Sequence, residues 1–104
     1  MVGPIAENLL RDMRVEKLFL TVSGVSHDFG LSHSSVSEVT IKQAMIKSAR
    51  EVILLADHTK FEQESFTQIA PIEVVDVLIT DNGLPASSRL QLNKVGIDVI
   101  ITQT

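Results

Sequence analysis

The chain has 104 residues, of which 44% are apolar and 21% charged, a length and balance typical of one globular unit with a single hydrophobic core. It contains no cysteine, which excludes disulfides and thiolate metal sites, and its apolar runs are far shorter than the roughly 20 residues of a membrane-spanning helix. The net charge of −4 without a basic cluster and the lack of Trp and Tyr argue against direct nucleic-acid binding, so we expect one cytoplasmic unit over residues 1–104 with no membrane partner.

The first half of the chain predicts a helix, a strand, a loop and a second helix. Apolar residues recur at helical spacing between Ile5 and Met13. Residues 17–22 have strand character, and the Ser-, Gly- and His-rich residues 23–34 predict a loop. Ser35 and Glu38 match a capping box, in which each side chain accepts from an unpaired backbone N–H, so a helix is predicted over residues 36–50.

The second half predicts three more strands and one more helix. Residues 52–56, 74–80 and 97–102 are mostly apolar and rich in β-branched side chains, as strands of a covered parallel sheet are. Pro85 and Gly96 bracket a helix of about ten residues. Residues 61–73 fit neither a helix nor a strand pattern. Strands that alternate with helices predict an α/β fold with an open, mainly parallel Rossmann-like sheet flanked by helices.

Three polar clusters follow predicted strands. They are Ser23-Gly24-Val25-Ser26, Asp57-His58-Thr59-Lys60 and Thr80-Asp81-Asn82-Gly83. In an open α/β sheet, ligands bind outside the carboxyl ends of the strands, where such clusters lie. The acid, hydroxyl and ammonium of residues 57–60 are suited to a sugar hydroxyl and a phosphate, although the same residue types commonly close turns.

Glu38 and Lys42 are four residues apart on the predicted helix, in the order that favours an ion pair worth about 0.2–0.5 kcal/mol. The alternative is that they present a carboxylate and an ammonium to a ligand. His27, Asp28 and His33 lack the spacing of a metal site and have no cysteine beside them. We therefore expect neither a metal nor a cofactor.

Four segments in order resemble the effector domain of DeoR-family bacterial transcriptional repressors, and they are residues 22–24, 38–45, 55–61 and 78–81. The resemblance is to the second half of that domain and covers nearly the whole chain. It implies a partial domain with a fold related to ribose-5-phosphate isomerase and CoA transferases, and a phosphorylated sugar as the effector. The residues that it places around the effector are Lys60, Asp57, Lys42 and Glu38, with Ser23 and Gly24 lining the same pocket and Asp81 as a secondary candidate.

The resemblance also implies parts that this chain does not contain. DNA would be bound only through an N-terminal helix-turn-helix domain, and the phosphate would be cradled by a Gly-Thr-rich loop in the first half of the effector domain. A partial sheet leaves an edge and an apolar face exposed, so we expect a homo-oligomer.

Two alternatives to a sensor remain open. The first is a small isomerase or hydrolase with Asp57 or Glu38 as general base. It is disfavoured because residues 23–26 read Ser-Gly-Val-Ser where the isomerases carry Asp-Gly-Ala-Asp, so the carboxylates suited to proton transfer are missing and no enzyme activity is expected. The second is an oligomerisation scaffold in which the polar loops are ordinary turns.

Overall fold

Seven strands and two helices make up the part of the chain that the structure, a computed structural model, describes, residues 14–103. The predicted helix between Ile5 and Met13 lies outside the described residues. In chain order the elements are β1 (Val15–Leu20), β2 (Gly24–Ser26), β3 (Gly30–His33), α1 (Val36–Ser48), β4 (Ala49–Leu55), β5 (Thr67–Ala70), β6 (Val77–Asp81), α2 (Ala86–Lys94) and β7 (Asp98–Thr102).

The larger sheet is parallel and has the strand order β1-β4-β6-β7. Leu20 pairs with Leu54, Leu54 with Leu78, and Leu78 with Val99, so apolar side chains align across the sheet. Each strand lies beside the next one of this sheet along the chain, and α1 and α2 fill two of the crossovers. The predicted α/β class with a parallel, Rossmann-like sheet is confirmed.

A smaller antiparallel sheet, of order β2-β3-β5, corrects two of the predictions. The loop predicted over residues 23–34 is a hairpin, and the stretch 61–73, which fitted no pattern, contributes β5. Gly30 makes the hairpin possible because its φ is +76° and a Cβ there would lie 2.4 Å from the carbonyl oxygen of Ala70. These strands are three or four residues long, too short for alternation to be recognised in the sequence.

Several boundaries also differ from the predictions. β1 begins at Val15 and ends at Leu20 rather than spanning residues 17–22. α1 ends at Ser48 because Ala49 is extended and leads directly into β4. β6 begins at Val77, since the residues after Pro71 form a 3-10 turn, Ile72–Val74, before the chain extends.

The core lies on one face of the larger sheet. Its strand residues include Leu20, Leu54 and Leu78, and Val39 of α1 is buried in the same cluster. Side chains alternate along a strand, so Phe19 and Ile100 point to the opposite face, where they are 59% and 50% exposed. Within residues 14–103 no helix has the length and apolar character that crossing a bilayer requires.

Candidate functional site

The three polar clusters lie at the carboxyl ends of strands, as the sequence predicts. Ser23 follows β1, Asp57 follows β4 and Asp81 ends β6, and these three parallel strands are neighbours in the sheet. A shallow cavity of about 360 Å³ at this edge is lined by Asp57, Asp81 and Thr102, together with the last residues of β4 and β6. The carboxyl edge of the sheet therefore carries a cleft with two carboxylates.

The segment after β4 is a closed turn. His58–Lys60 form a 3-10 turn, and the Asp57 carboxylate caps it by accepting from the backbone N–H of Thr59 at 2.8 Å and from the Thr59 hydroxyl. These hydrogen bonds, and to a smaller extent the charge of Lys60, lower the pKa of Asp57 below its ordinary 3.8. Asp57 is an anion at neutral pH, and the predicted turn is confirmed.

A second set of bonds joins this turn to the end of β6. The ring Nδ1 of His58 lies 2.9 and 3.0 Å from the two carboxylate oxygens of Asp81, and the backbone N–H of His58 donates to the same carboxylate at 3.3 Å. The backbone N–H of Gly83 donates to it at 2.8 Å. The bond from His58, followed by the one from Gly83, lowers the pKa of Asp81 below 3.8.

The imidazole ring of His58 occupies the space where a side chain at residue 83 would lie. A Cβ at Gly83 would lie 2.5 Å from Nδ1 of His58, closer than real atoms approach. The backbone of Gly83 is not left-handed, since Gly30 and Gly96 are the glycines with positive φ in the described chain. The glycine is therefore needed for space and not for its conformational freedom.

Lys42 lies on α1 and is buried beside the end of β1. Only 8% of it is exposed, and its ammonium donates to the carbonyl oxygen of Thr21. Burial lowers the pKa of Lys42 below 10.5, and the nearby carboxylate of Glu38 partly opposes this shift. A cation that has lost most of its water is suited to bind an anion.

Glu38 is exposed at the start of α1, where its backbone N–H donates to the hydroxyl of the N-cap residue Ser35 at 3.4 Å. The ion pairs found within residues 14–103 do not include the predicted one between Glu38 and Lys42, because Lys42 is directed to Thr21 instead. The prediction of a direct ion pair was therefore wrong, although the charges of Glu38 and Lys42 still interact at longer range.

Ser23 and Gly24 lie where β1 leads into the hairpin. The backbone N–H of Ser23 donates to the carbonyl of Ser32 at 3.0 Å. Gly24 is buried, and a Cβ there would lie 2.4 Å from the carbonyl oxygen of Gln63. Close packing of the chain already accounts for this glycine, and its place near a ligand stays a prediction.

The candidate residues fall into two groups at the sheet edge. Asp57, Lys60 and Asp81 form one group at the ends of β4 and β6, while Glu38 and Lys42 form the other, beside the end of β1. No hydrogen bond or ion pair in the described part of the chain joins the two groups. They share the carboxyl edge through adjacent strands.

Two further residues at this edge, His58 and Thr80, are not among those that the sequence predicts to contact a ligand. His58 had the features of an ordinary exposed loop histidine, and only the alignment of β4 with β6 reveals its partner Asp81. Thr80 is 3% exposed, and its hydroxyl oxygen is buried without a hydrogen-bond partner. The sequence signal for both was the same, a polar cluster after each of two neighbouring parallel strands.

Asp57, His58 and Asp81 each offer a metal-ligand atom, and these atoms lie within 4.8 Å of one another. Bonds within the protein account for the same atoms, since Asp57 accepts from Thr59 and Asp81 from His58. The cluster is therefore explained as two hydrogen-bonded pairs.

Comparison with known proteins identifies the family to which this chain belongs. Residues 1–82 match the model of the DeoR C-terminal sensor domain. The HTH-type transcriptional regulator GlpR of Haloferax volcanii is 34% identical over 96% of this chain and 39% of its own length. The HTH-type transcriptional repressor CsqR of Escherichia coli is 30% identical over 99% of the chain and 40% of its own length.

A third relative, the transcriptional repressor AccR of Agrobacterium fabrum, is 40% identical over 78% of the chain and 32% of its own length. The chain thus spans about two fifths or less of the length of these curated relatives. All three relatives are named as transcriptional regulators or repressors.

Proposed function

The chain belongs to the DeoR C-terminal sensor domain family, and from this membership we propose that it is the effector-sensing part of a transcriptional repressor of sugar metabolism. In this proposal the effector is a phosphorylated sugar, DNA is bound by a helix-turn-helix domain elsewhere in the protein, and the protein acts in the cytoplasm. Effector binding at this domain changes the affinity of the whole protein for its operator.

The observation that supports the proposal is the placement of polar and charged residues after neighbouring parallel strands, at one edge of the sheet. The cleft there, about 360 Å³, is of the size range that small-ligand sites occupy, roughly 300–1,000 Å³. An ammonium binds a phosphate as a point charge, and a carboxylate accepts from sugar hydroxyls. We assign Lys60 and Lys42 to the phosphate, Asp57 and Glu38 to hydroxyls, and Ser23, Gly24 and Asp81 to the walls.

Sensing without turnover fits this edge better than isomerisation. Asp57 holds its own turn through two bonds to Thr59, and the lowered pKa of its carboxyl makes it a weak base. Ser26, at the second aspartate position of the isomerase motif, accepts from the backbone N–H of Phe29 at 2.9 Å and lies 3.2 Å from the Glu64 carboxylate. Neither group is arranged to remove a proton from a substrate carbon.

Titrating the full-length regulator with a panel of pentose and hexose phosphates tests the proposal. We expect saturable binding of one of them and a matching change in operator affinity. Lys60→Ala should weaken binding by about tenfold or more, the loss of one charged hydrogen bond. Lys94→Ala is the matched control, because Lys94 ends α2 just before β7 begins, at the opposite edge of the sheet. No response to any sugar phosphate would refute the proposal.

We also propose that the protein is a homo-oligomer in which a second copy covers the open face of the larger sheet. Phe19, Leu55 and Ile100 are exposed on that face, and Ile53 and Ile79 lie between them. An apolar sheet face of this extent, open to water, is typical of an interface. Charged residues sit at its margin, among them the Lys17–Glu51 pair at 4.0 Å.

A further inference from the structure

The turn that carries Asp57 and Lys60 needs an external anchor. Its internal bonds, from Thr59 to Asp57, fix the shape of the turn but not its orientation relative to the sheet. On the carboxyl-terminal side, Phe61 packs against the core and its neighbour Glu62 donates through its backbone N–H to the carbonyl of Val25 at 2.7 Å. On the amino-terminal side, the backbone N–H of Ala56, the residue before the turn, donates to the carbonyl of Ile79 at 3.2 Å, and within the turn itself His58 makes the contacts with the end of β6.

His58 makes these contacts entirely with Asp81. Backbone and ring both donate to the one carboxylate, which also accepts from the backbone N–H of Gly83. Gly83 in turn has no side chain at the point where the imidazole lies. Three residues from two separate loops thus form one interlocked unit, which we call the His58 lock (His58, Asp81 and Gly83).

We infer that the His58 lock is a positioning device for the effector site: Asp81 acts through His58 to hold the turn that presents Asp57 and Lys60 to the cleft. This inference rests on the proposed function, because it assigns a role within the same site. It adds His58 and Gly83 to the functional residues, and it makes Asp81 a residue whose main contacts are with the protein.

The lock also fixes the tautomer of the neutral imidazole. Because a carboxylate only accepts, Nδ1 of His58 must carry the proton. His33 provides an internal contrast, since its Nδ1 accepts from the backbone N–H of Ser35 at 3.1 Å and its proton must therefore sit on Nε2. The protein should hold these two histidines in opposite tautomers.

The tautomers can be read from the ¹⁵N shifts of the ring nitrogens of the 104-residue chain at alkaline pH. We expect the Nδ1–H form for His58 and the Nε2–H form for His33. The Nε2–H form at His58 would overturn the inference without any mutation. This measurement needs no ligand, so it is independent of whether a sugar phosphate binds.

A pair of substitutions separates positioning from direct ligand contact. The side-chain amide of asparagine lies where Nδ1 of histidine does, whereas that of glutamine lies where Nε2 does. If His58 acts through Asp81, His58→Asn keeps the effector affinity within about threefold and His58→Gln lowers it by about tenfold, as loss of a supporting hydrogen bond does. His27→Ala, an exposed hairpin histidine, is the control.

If His58→Gln kept the effector affinity and His58→Asn lost it, the inference would be overturned in favour of direct contact between His58 and the ligand. Loss of effector affinity in both variants would overturn it in the same way. Retention in both would also overturn it, because the lock would then have no role. If the wild-type protein binds no sugar phosphate at all, the proposed function fails, and that outcome is distinct from these.

Gly83→Ala tests the lock without removing any polar group. Its Cβ would collide with the imidazole, so the substitution should destabilise the protein and weaken effector binding when His58 is present. In a His58→Ala background most of the destabilisation should vanish. Equal destabilisation in both backgrounds would contradict the lock.

Discussion

Two charged side chains of the site differ in what they contribute to folding. Lys42 loses hydration on burial, and its bonds to Thr21 and the more distant charge of Glu38 compensate only in part, so it opposes stability while it offers a poorly solvated cation. Asp81 is bonded by three donors and favours the folded state as an anion. The sequence identified both positions, but not this difference, because burial of Lys42 against β1 and the partners of Asp81 depend on contacts 21 to 23 residues apart.

Lys42→Met should separate stability from function. We expect the free energy of unfolding at pH 7 to change by less than about 1 kcal/mol, or to rise, because an apolar side chain suits a buried position better than a cation without a directly contacting carboxylate. Effector affinity should fall by about tenfold or more. Urea unfolding and effector titration measure the two effects, and a large loss of stability would contradict this account of Lys42.

The stability of Lys42→Met should also depend on pH differently from that of the wild-type protein. Folded Lys42 has a pKa below 10.5, so it releases its proton at a lower pH than the unfolded chain does. The stability of the wild-type protein relative to Lys42→Met should therefore rise with pH between the folded pKa and 10.5.

Asp81→Asn tests the anionic lock by pH. The pKa of Asp81 is below 3.8 in the folded protein, so its contribution to stability is present above pH 3.8 and is lost as pH falls through the folded pKa. The wild type should be more stable than Asp81→Asn at pH 5, and the difference should shrink as the pH falls below 3.8. Asp57 titrates in both proteins, and its own contribution differs between them only through the smallest of the influences on its pKa, the charge of Asp81. A difference that stays constant down to pH 2 would contradict the lock.

At the scale of elements, long apolar strands and the two helices were predictable, and the small sheet was not. β4, β6 and β7 carry continuous apolar runs, and α1 has a Ser35 cap that the structure retains. β2, β3 and β5 are held instead by contacts that no local pattern encodes. One of these is the approach of residues 62–65 to Gly24, where Ser65 donates through its backbone N–H to the hydroxyl of Ser32 at 2.8 Å.

Gly24→Ala should therefore be costly to the small sheet. The added Cβ would lie 2.4 Å from the backbone carbonyl oxygen of Gln63. A backbone atom cannot move away by a change of side-chain rotamer. We expect a loss of about 1–3 kcal/mol in the free energy of unfolding, as overpacking in tight sites costs. Ser34→Ala, at an exposed position after β3, should change it by less than about 0.5 kcal/mol. Equal effects of the two would contradict the close approach.

At the scale of the molecule, one face of the larger sheet is covered and the other is open. α1 contacts β1 and β4, and α2 contacts β7, whereas Phe19 and Ile100 on the other side are at least half exposed. The sequence predicted an exposed apolar face from the partial resemblance to a larger domain. Which residues form it became clear only from the register of β1 with β4 and of β6 with β7.

Phe19→Asp tests the proposed self-association through this face. A charge within an apolar interface should shift the protein towards monomer in sedimentation equilibrium, because burying a charge without a partner has a large desolvation cost. Phe66→Asp is the matched control, since Phe66 is 81% exposed but lies outside the larger sheet. If Phe66→Asp dissociates the protein and Phe19→Asp does not, the interface is elsewhere.

Amide chemical-shift mapping of the ¹⁵N-labelled full-length regulator tests most directly whether the carboxyl edge of the sheet binds a phosphorylated sugar. With one member of a sugar-phosphate panel we expect saturable shifts at the amides of Gly24, Thr59, Lys60 and Gly83, none at Lys94, and no response to the same sugar without its phosphate. Shifts confined to the opposite edge, or none with any sugar phosphate, would contradict the account.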